Sequence, residues 1–457
     1  MNNNNEIFEN APVGKAVARM AVPTIISMLV VVIYNMADTF FIGQTGDAMQ
    51  VAAVSISAPV FTILMAFGNL FGIGGSSAIA RALGAKKLER AKQISAFCCY
   101  ASIGIGVFIM IFCLLGMSKI LGMIGASENT VDFAREYVTI IAMSGPFIIF
   151  SFAFCNILRG EGASRQAMVG NMIGTVTNIV LDPVLILGFG MGVLGAAVAT
   201  MIGNILACVY YVSFFVRKKS SLSINISNFS IKDGIVFDIV KIGVPASLNN
   251  ILMSTAQIVL NNALIQYGDT PVAAMGVASK TNMLVVLLQV GLCSGIQPLI
   301  GYSYGAKNYK RLNQVVRFTG ICAVIMGTIL TVVIFFMKRY LITAFINDEA
   351  VIEIGIKIVI ALQLSGPFLG ILFLCINTLQ GMGKALPSLV LTFCRQGLIF
   401  VPLIFLLDRM LGLDGVIYAQ SIADYASIII SGVMFVVAFA LVNIFWTQNY
   451  KNYSVTA

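Results

Sequence analysis

The chain has 457 residues, of which 59% are hydrophobic and only 10% charged, and its mean hydropathy is +0.95. Soluble domains carry about 25% charged residues, so this composition excludes a soluble globular protein and implies a polytopic membrane protein. The formal net charge of +9 is spread in short clusters between apolar runs with no basic stripe among aromatics, which excludes nucleic acid as a partner and leaves the lipid bilayer as the surroundings.

A spanning helix needs about 20 mostly apolar residues. Taken in chain order, the first such run covers roughly 17–42 and holds "YNMADTFFIG" (34–43). It is too long for a signal-peptide core and has no small-residue cleavage site, so it is expected to stay as a helix after a short tail, 1–16. Runs at 51–80, 93–117, 133–157, 167–188 and 193–216 follow, completing six spans within 17–216. The longest hydrophilic stretch lies at 217–235 and reads as a surface linker. Six more runs, 236–266, 272–301, 313–337, 352–379, 387–411 and 415–444, fill 236–444, and 445–457 forms a second tail. With the N-terminus inside, the cytoplasmic segments carry 21 Lys and Arg and the external ones six; the remaining one, Lys280, falls within a span. This asymmetry predicts a multi-pass plasma (inner) membrane protein with both termini cytoplasmic.

The two halves are copies. "GAKKLERAKQ" (84–93) recurs as "GAKNYKRLNQ" (305–314), an offset of 221, and "SGPF" (144–147) and "NILRGEG" (156–162) return at the same offset as "SGPF" (365–368) and "NTLQGMG" (377–383). Each copy has an even number of spans, so the copies share one orientation. The expected fold is therefore all-α, with 12 transmembrane helices in two six-helix lobes related by a pseudo-two-fold along the membrane normal.

A carboxylate inside a span is costly, about 2.5–3.5 kcal/mol at a bilayer centre. Counting at about 1.5 Å per residue places Asp38 a few residues before the external end of the first span, and Asp182 at similar depth in the fifth. Asn178 shares a helix face with Asp182 at i, i+4, and the sixth span brings Thr200 to the same level. Pro183 frees a backbone carbonyl beside them. Such hard oxygens suit Na⁺, and two neighbouring carboxylates can share a proton. With no histidine in the chain, proton chemistry falls to carboxylates. The bland alternatives are an aspartate snorkelling to the headgroups, and Asn or Thr serving as interhelical glue.

The second half lacks these acids. It offers Gln257 and Asn261 near the register of Asp38, and at the register of Asp182 the proline survives without the aspartate. Lys280 and Asp424 lie at similar depth in the eighth and twelfth spans and are expected to pair, either as a structural ion pair or in substrate binding or gating. Tyr34 and Asn35 are further candidates for substrate contact. The nine cysteines are scattered through apolar segments and read as packing residues. "GMGVLG" (190–195) matches a dinucleotide fingerprint by letter, but it follows a membrane helix and reads as a glycine turn. No Walker A sequence, His/Cys cluster or nucleophile elbow is present, so neither an enzyme nor a cofactor is expected.

The 6+6 repeat, "VPTIISMLVVVIYNMADTFFIG" (22–43), the "GAK" loops, "RGEG" (159–162) and "SIADYAS" (421–427) resemble the multidrug and toxic compound extrusion (MATE) family, in particular its MepA-type members. The resemblance covers nearly the whole chain and implies a multidrug efflux antiporter that exports cationic, amphipathic small molecules in exchange for H⁺ or Na⁺, with no required protein partner. The cation-site pattern of the DinF-like branch falls on Asp38, Asn178, Asp182 and Thr200, which would be metal ligands if Na⁺ is the coupling ion. The NorM-like branch has an acid in the seventh helix, which this chain lacks. The alternatives are a flippase for a lipid-linked precursor, which would need a cationic cavity, and an intramembrane enzyme or scaffold.

Overall fold

The computed structural model describes residues 7–44, 47–345 and 348–454; the outermost parts of the two expected tails, 1–6 and 455–457, lie outside the described residues. The described residues are helical, with no strand among them. The first half runs through α1 (Val13–Gly43), α2 (Ala48–Gly84), α3 (Leu88–Leu115), the short α4 (Met117–Met123), α5 (Val131–Met143), α6 (Gly145–Gly160), α7 (Ser164–Asp182) and α8 (Gly192–Val216). The second half contains α9 (Ile235–Leu264), α10 (Asp269–Gly305), α11 (Tyr309–Thr343), α12 (Glu349–Gln363), α13 (Gly366–Gly381), α14 (Ala385–Phe393), α15 (Phe400–Leu411) and α16 (Leu413–Ser454).

Among the described residues, ten helices are long and apolar enough to cross a membrane unbroken, and two bent pairs, each taken as one span, bring the total to as many as twelve. The pairs are α5 with α6, bent by 53°, and α12 with α13, bent by 48°. Both breaks fall in the repeated "SGP" of the two halves, where proline supplies no N–H to the preceding turn and its ring crowds the carbonyl four residues back. The glycines of "GMGVLG" make the turn into α8, Gly190 at φ +66° and Gly192 at φ +54°, a backbone region that side chains with a Cβ rarely adopt. No disulfide joins the nine cysteines, and seven of them are buried.

By contact the chain divides into two compact units, and the division crosses helices of the second half. Unit 1 comprises residues 1–254, 290–319 and 380–385; unit 2 comprises 255–289, 320–379 and 386–457. The core of unit 1 is built on Leu64, Ile79, Ile94, Phe154 and Tyr211, and that of unit 2 on Leu264, Ile342, Phe400 and Ile417.

The reason segments of the second half join unit 1 lies at the end of the helices that carries the basic loops. There the two repeats meet reciprocally. A Cβ on Gly84 would stand 2.1 Å from the carbonyl oxygen of Tyr302, and one on Gly305 would stand 2.2 Å from that of Arg81. Both pairs are related by the repeat offset, and only glycine permits such an approach. Arg81 Nη1 donates to Gly381 O at 3.3 Å, and Ser77 Oγ donates to Gln380 O. Arg311 Nη2 donates to Ile7 O and Ala11 O, each at 2.9 Å, and Tyr302 Oη to Glu9 Oε1 at 2.7 Å. The linker also packs on unit 1. Tyr100 Oη donates to Ile224 O at 3.0 Å, and the Phe97 and Tyr100 rings pack on Phe229.

Glu161, of the "RGEG" loop, anchors the start of that linker. It is buried and accepts from Ser220 Oγ at 2.6 Å and Ser221 N at 3.2 Å, while its other carboxylate oxygen has no hydrogen-bond partner among the described residues. Burial pushes its carboxyl up to about 7, against the pull of the hydrogen bonds from Ser220, Ser221 and Leu222.

Candidate cation site and intramembrane charges

α1 packs on α7, α7 packs on α8, and α5 packs on α8. This arrangement brings Asp38, Asn178, Asp182 and Thr200 together within unit 1. Asp182 is fully buried, Asn178 and Thr200 are nearly so, and Asp38 is half-buried. Immediately after Asp182 the helix widens into a π-helical segment, Pro183–Gly188. Pro183 cannot donate to the carbonyl of Ile179, so the hydrogen-bond ladder is released where the carboxylate stands. Ile42 of α1, Ile186 of this segment and Ala196 of α8 form a small buried apolar cluster.

Asn178 Nδ2 donates to Asp182 Oδ2 at 3.0 Å, and its carbonyl oxygen accepts from Thr200 Oγ1 at 3.0 Å and Thr200 N at 2.9 Å. This arrangement satisfies one oxygen of an ionised Asp182. Asp182 Oδ1 is buried and has no hydrogen-bond partner among the described residues. A buried, unmatched carboxylate oxygen beside an amide and a hydroxyl fits H⁺ or a hard monovalent cation. Among the described residues, no cluster of three His, Cys, Asp or Glu exists that would suit a tightly held metal.

Asp38 lies close enough to Asp182 for their charges to interact, and the Tyr34 and Tyr137 hydroxyls share that field. Tyr34 also contacts the Thr200 side chain. Tyr137, on α5, is a member of this cluster that reasoning from charge did not find; its signal was a phenol just inside the expected span 133–157, next to Arg135 and Glu136. Asn35 Nδ2 donates to Val31 O of its own helix at 2.8 Å. Gln257 and Asn261 are exposed on the α9 segment of unit 2, and Gln257 Nε2 donates to Asn261 Oδ1 at 3.1 Å.

The expected pairing of Lys280 with Asp424 is not what the structure contains. Asp424 pairs with Arg395, whose Nε donates to Oδ1 at 2.9 Å; the two side chains are 4% and 7% exposed, respectively. Ser365 Oγ and Gln420 Nε2 each add a donor at 3.0 Å, and the guanidinium carbon lies 5.0 Å from the centre of the Phe373 ring. Lys280 instead sets its ammonium 5.6 Å from the centre of the Phe345 ring. Equal depth fixes height along a helix but not the direction in which a side chain points. Arg395, counted above among the cytoplasmic charges, lies in a buried π-helical segment, Cys394–Ile399.

A profile of the MatE family matches residues 23–184 and 245–406, once in each half. The chain is 32% identical over 417 residues to the multidrug export protein MepA of Staphylococcus aureus strain MRSA252, covering 91% of this chain and 92% of that protein. It is likewise 32% identical, at the same coverage, to the MepA of Staphylococcus saprophyticus. Among solved structures, an outward-facing multidrug resistance MATE transporter of the MOP superfamily superposes with a TM-score of 0.93 at 26% identity, over 97% of this chain and 99% of that one. A MOP superfamily transporter from Pyrococcus furiosus, described as having a binding pocket of reversed polarity that suggests a different function, superposes with a TM-score of 0.91 at 27% identity, over 96% and 98%. A helical chain with up to twelve spans, a duplicated MatE unit and this degree of identity to multidrug exporters belongs to the MATE family of transporters.

Proposed function

We propose that the chain is a cation-coupled antiporter of the plasma membrane, with both termini cytoplasmic, that exports cationic, amphipathic compounds in exchange for H⁺ or Na⁺ by alternating access. The observation that carries this reading is the buried Asp182 with one unmatched oxygen, next to a second acid. In a dry site two charged carboxylates repel and are poorly solvated, so the pair gains by taking up a cation. Asp38 and Asp182 bind the proton or ion. Asn178 donates to Asp182 and steadies its charged form, while Thr200 holds the Asn178 carbonyl oxygen and so fixes the amide in that orientation. Because Asp38 rides on α1 and Asp182 on α7, loading relieves repulsion between these two helices. In this reading α1 then rearranges, releasing the drug and allowing the inward return.

For Na⁺, the carboxylates, the Asn178 carbonyl and the Thr200 hydroxyl are the oxygens available as ligands; for H⁺, the carboxylates alone suffice. A flippase for a lipid-linked precursor would need free intramembrane bases to hold a pyrophosphate. Arg395 is occupied by Asp424 and Lys280 rests on Phe345, so this reading gains no support. The test is substrate-evoked ion flux in proteoliposomes, run first with a Na⁺ gradient and then with a pH gradient. The wild type is expected to couple drug movement to one of the two, and Asp38→Asn and Asp182→Asn to lose the coupling. Intact coupled efflux in both variants sinks the proposal.

A further inference from the structure

At the basic end of α1 a cleft of about 410 Å³ opens between α1 and the start of α7. This lies within the about 300–1,000 Å³ typical of small-molecule sites. Arg19 lines it from α1 and Arg165 from α7, with Gln166 beside them, while Val22, Ile26 and Met168 form an apolar wall. Val22 is 49% and Ile26 38% exposed, so this wall is open to the surroundings of the helices. Both arginines are exposed, and neither takes part in an ion pair among the described residues. The nearest acid in sequence, Glu161, is turned to Ser220 and Ser221 of the linker.

We infer that this cleft binds an anionic glycerophospholipid, its phosphate between the Arg19 and Arg165 guanidiniums and its acyl chains along Val22, Ile26 and Met168. Two guanidiniums without carboxylate partners repel a cationic drug and match a phosphate by forked hydrogen bonding. The exposed apolar wall has no use for a free inorganic anion but suits lipid chains, and basic pockets between spanning helices are the usual setting for anionic headgroups. The lipid bridges α1 and α7 some 28 Å along α1 from Asp38, at about 1.5 Å per residue, and so ties together the feet of the two helices that carry the acids.

The test is native mass spectrometry of the full chain released from detergent micelles containing phosphatidylglycerol or phosphatidylcholine, with thermal unfolding measured in parallel. The wild type is expected to retain one phosphatidylglycerol in preference to phosphatidylcholine. Arg19→Gln/Arg165→Gln is expected to lower that preference about thirtyfold, roughly fivefold for each arginine. Lys218→Gln/Lys219→Gln, which removes charge from the linker, should leave it unchanged. Ile26→Trp fills the cleft while keeping both arginines; it is expected to release the lipid as well, and it carries the test if the double variant does not fold. Equal retention of the two lipids by the wild type overturns the inference, as does full phosphatidylglycerol retention by the double arginine variant or by Ile26→Trp. Stabilisation by inorganic phosphate equal to that by phosphatidylglycerol would assign the cleft to a free anion and overturn the lipid.

Discussion

Replacing Arg395 or Asp424 tests whether the buried ion pair of unit 2 is scaffold. Breaking such a pair by removing one partner costs about 3–5 kcal/mol, because the other charge is left buried and uncompensated. Arg395→Met leaves Asp424 with Ser365 and Gln420 as donors, so its cost belongs near the lower figure, about 3 kcal/mol. Asp424→Leu leaves the guanidinium, among the described residues, with the Phe373 face alone, so its cost belongs near the upper one, about 5 kcal/mol. The double variant buries no charge and fills similar volume; it is expected within about 1 kcal/mol of wild type, since such replacements are often neutral or better. Equilibrium unfolding in mixed micelles gives the three values, and drug export by the double variant should persist. Single variants that each cost under about 1 kcal/mol, or costs that simply add in the double variant, would refute the reasoning.

Three further outcomes are expected. Thr200→Val removes the hydroxyl partner of Asn178 in a buried setting and should cost about 1–3 kcal/mol, measured by the same unfolding assay, with a loss of ion coupling beyond the loss of folded protein. Gly305→Val drives a Cβ into the Arg81 carbonyl and should destabilise by about 1–3 kcal/mol, read in the same unfolding assay; Gly84→Val should do the same through Tyr302. Glu161 binds its proton more tightly when folded, up to about 7 against an ordinary value of 4.5. Its contribution to stability is therefore present below 4.5 and is lost as pH rises toward 7. The loss approaches about 3 kcal/mol at about 1.4 kcal/mol per unit, and Glu161→Gln should flatten that part of the stability profile.

The site acids were legible in the sequence because each is the sole acid of its expected span, and because Asn178 and Asp182 lie one helical turn apart. Periodicity and length were enough to bring them to one height, and helix packing did the rest. Tyr137 was not legible in this way, since a phenol carries no charge to mark it and follows Arg135 and Glu136, which read as the charged end of the span. Arg395 was missed because it was tallied with the cytoplasmic charges although it falls inside the run 387–411, where the chain forms a buried π-helical segment. The pairing of Lys280 with Asp424 failed because depth ignores azimuth. The repeat was visible as matched words at an offset of 221. Its physical use, reciprocal glycine contacts that draw the basic ends of the second half into unit 1, depends on backbone approach that no single word reveals.

The central claim is that drug and cation compete through Asp182 and its neighbour Asp38. It is tested most directly by adding a cationic amphipathic drug to purified protein and recording released protons and displaced radiolabelled Na⁺ together. The account predicts that drug binding expels one kind of cation from the wild type and none from Asp182→Asn. Equal cation release from the variant and the wild type would contradict it.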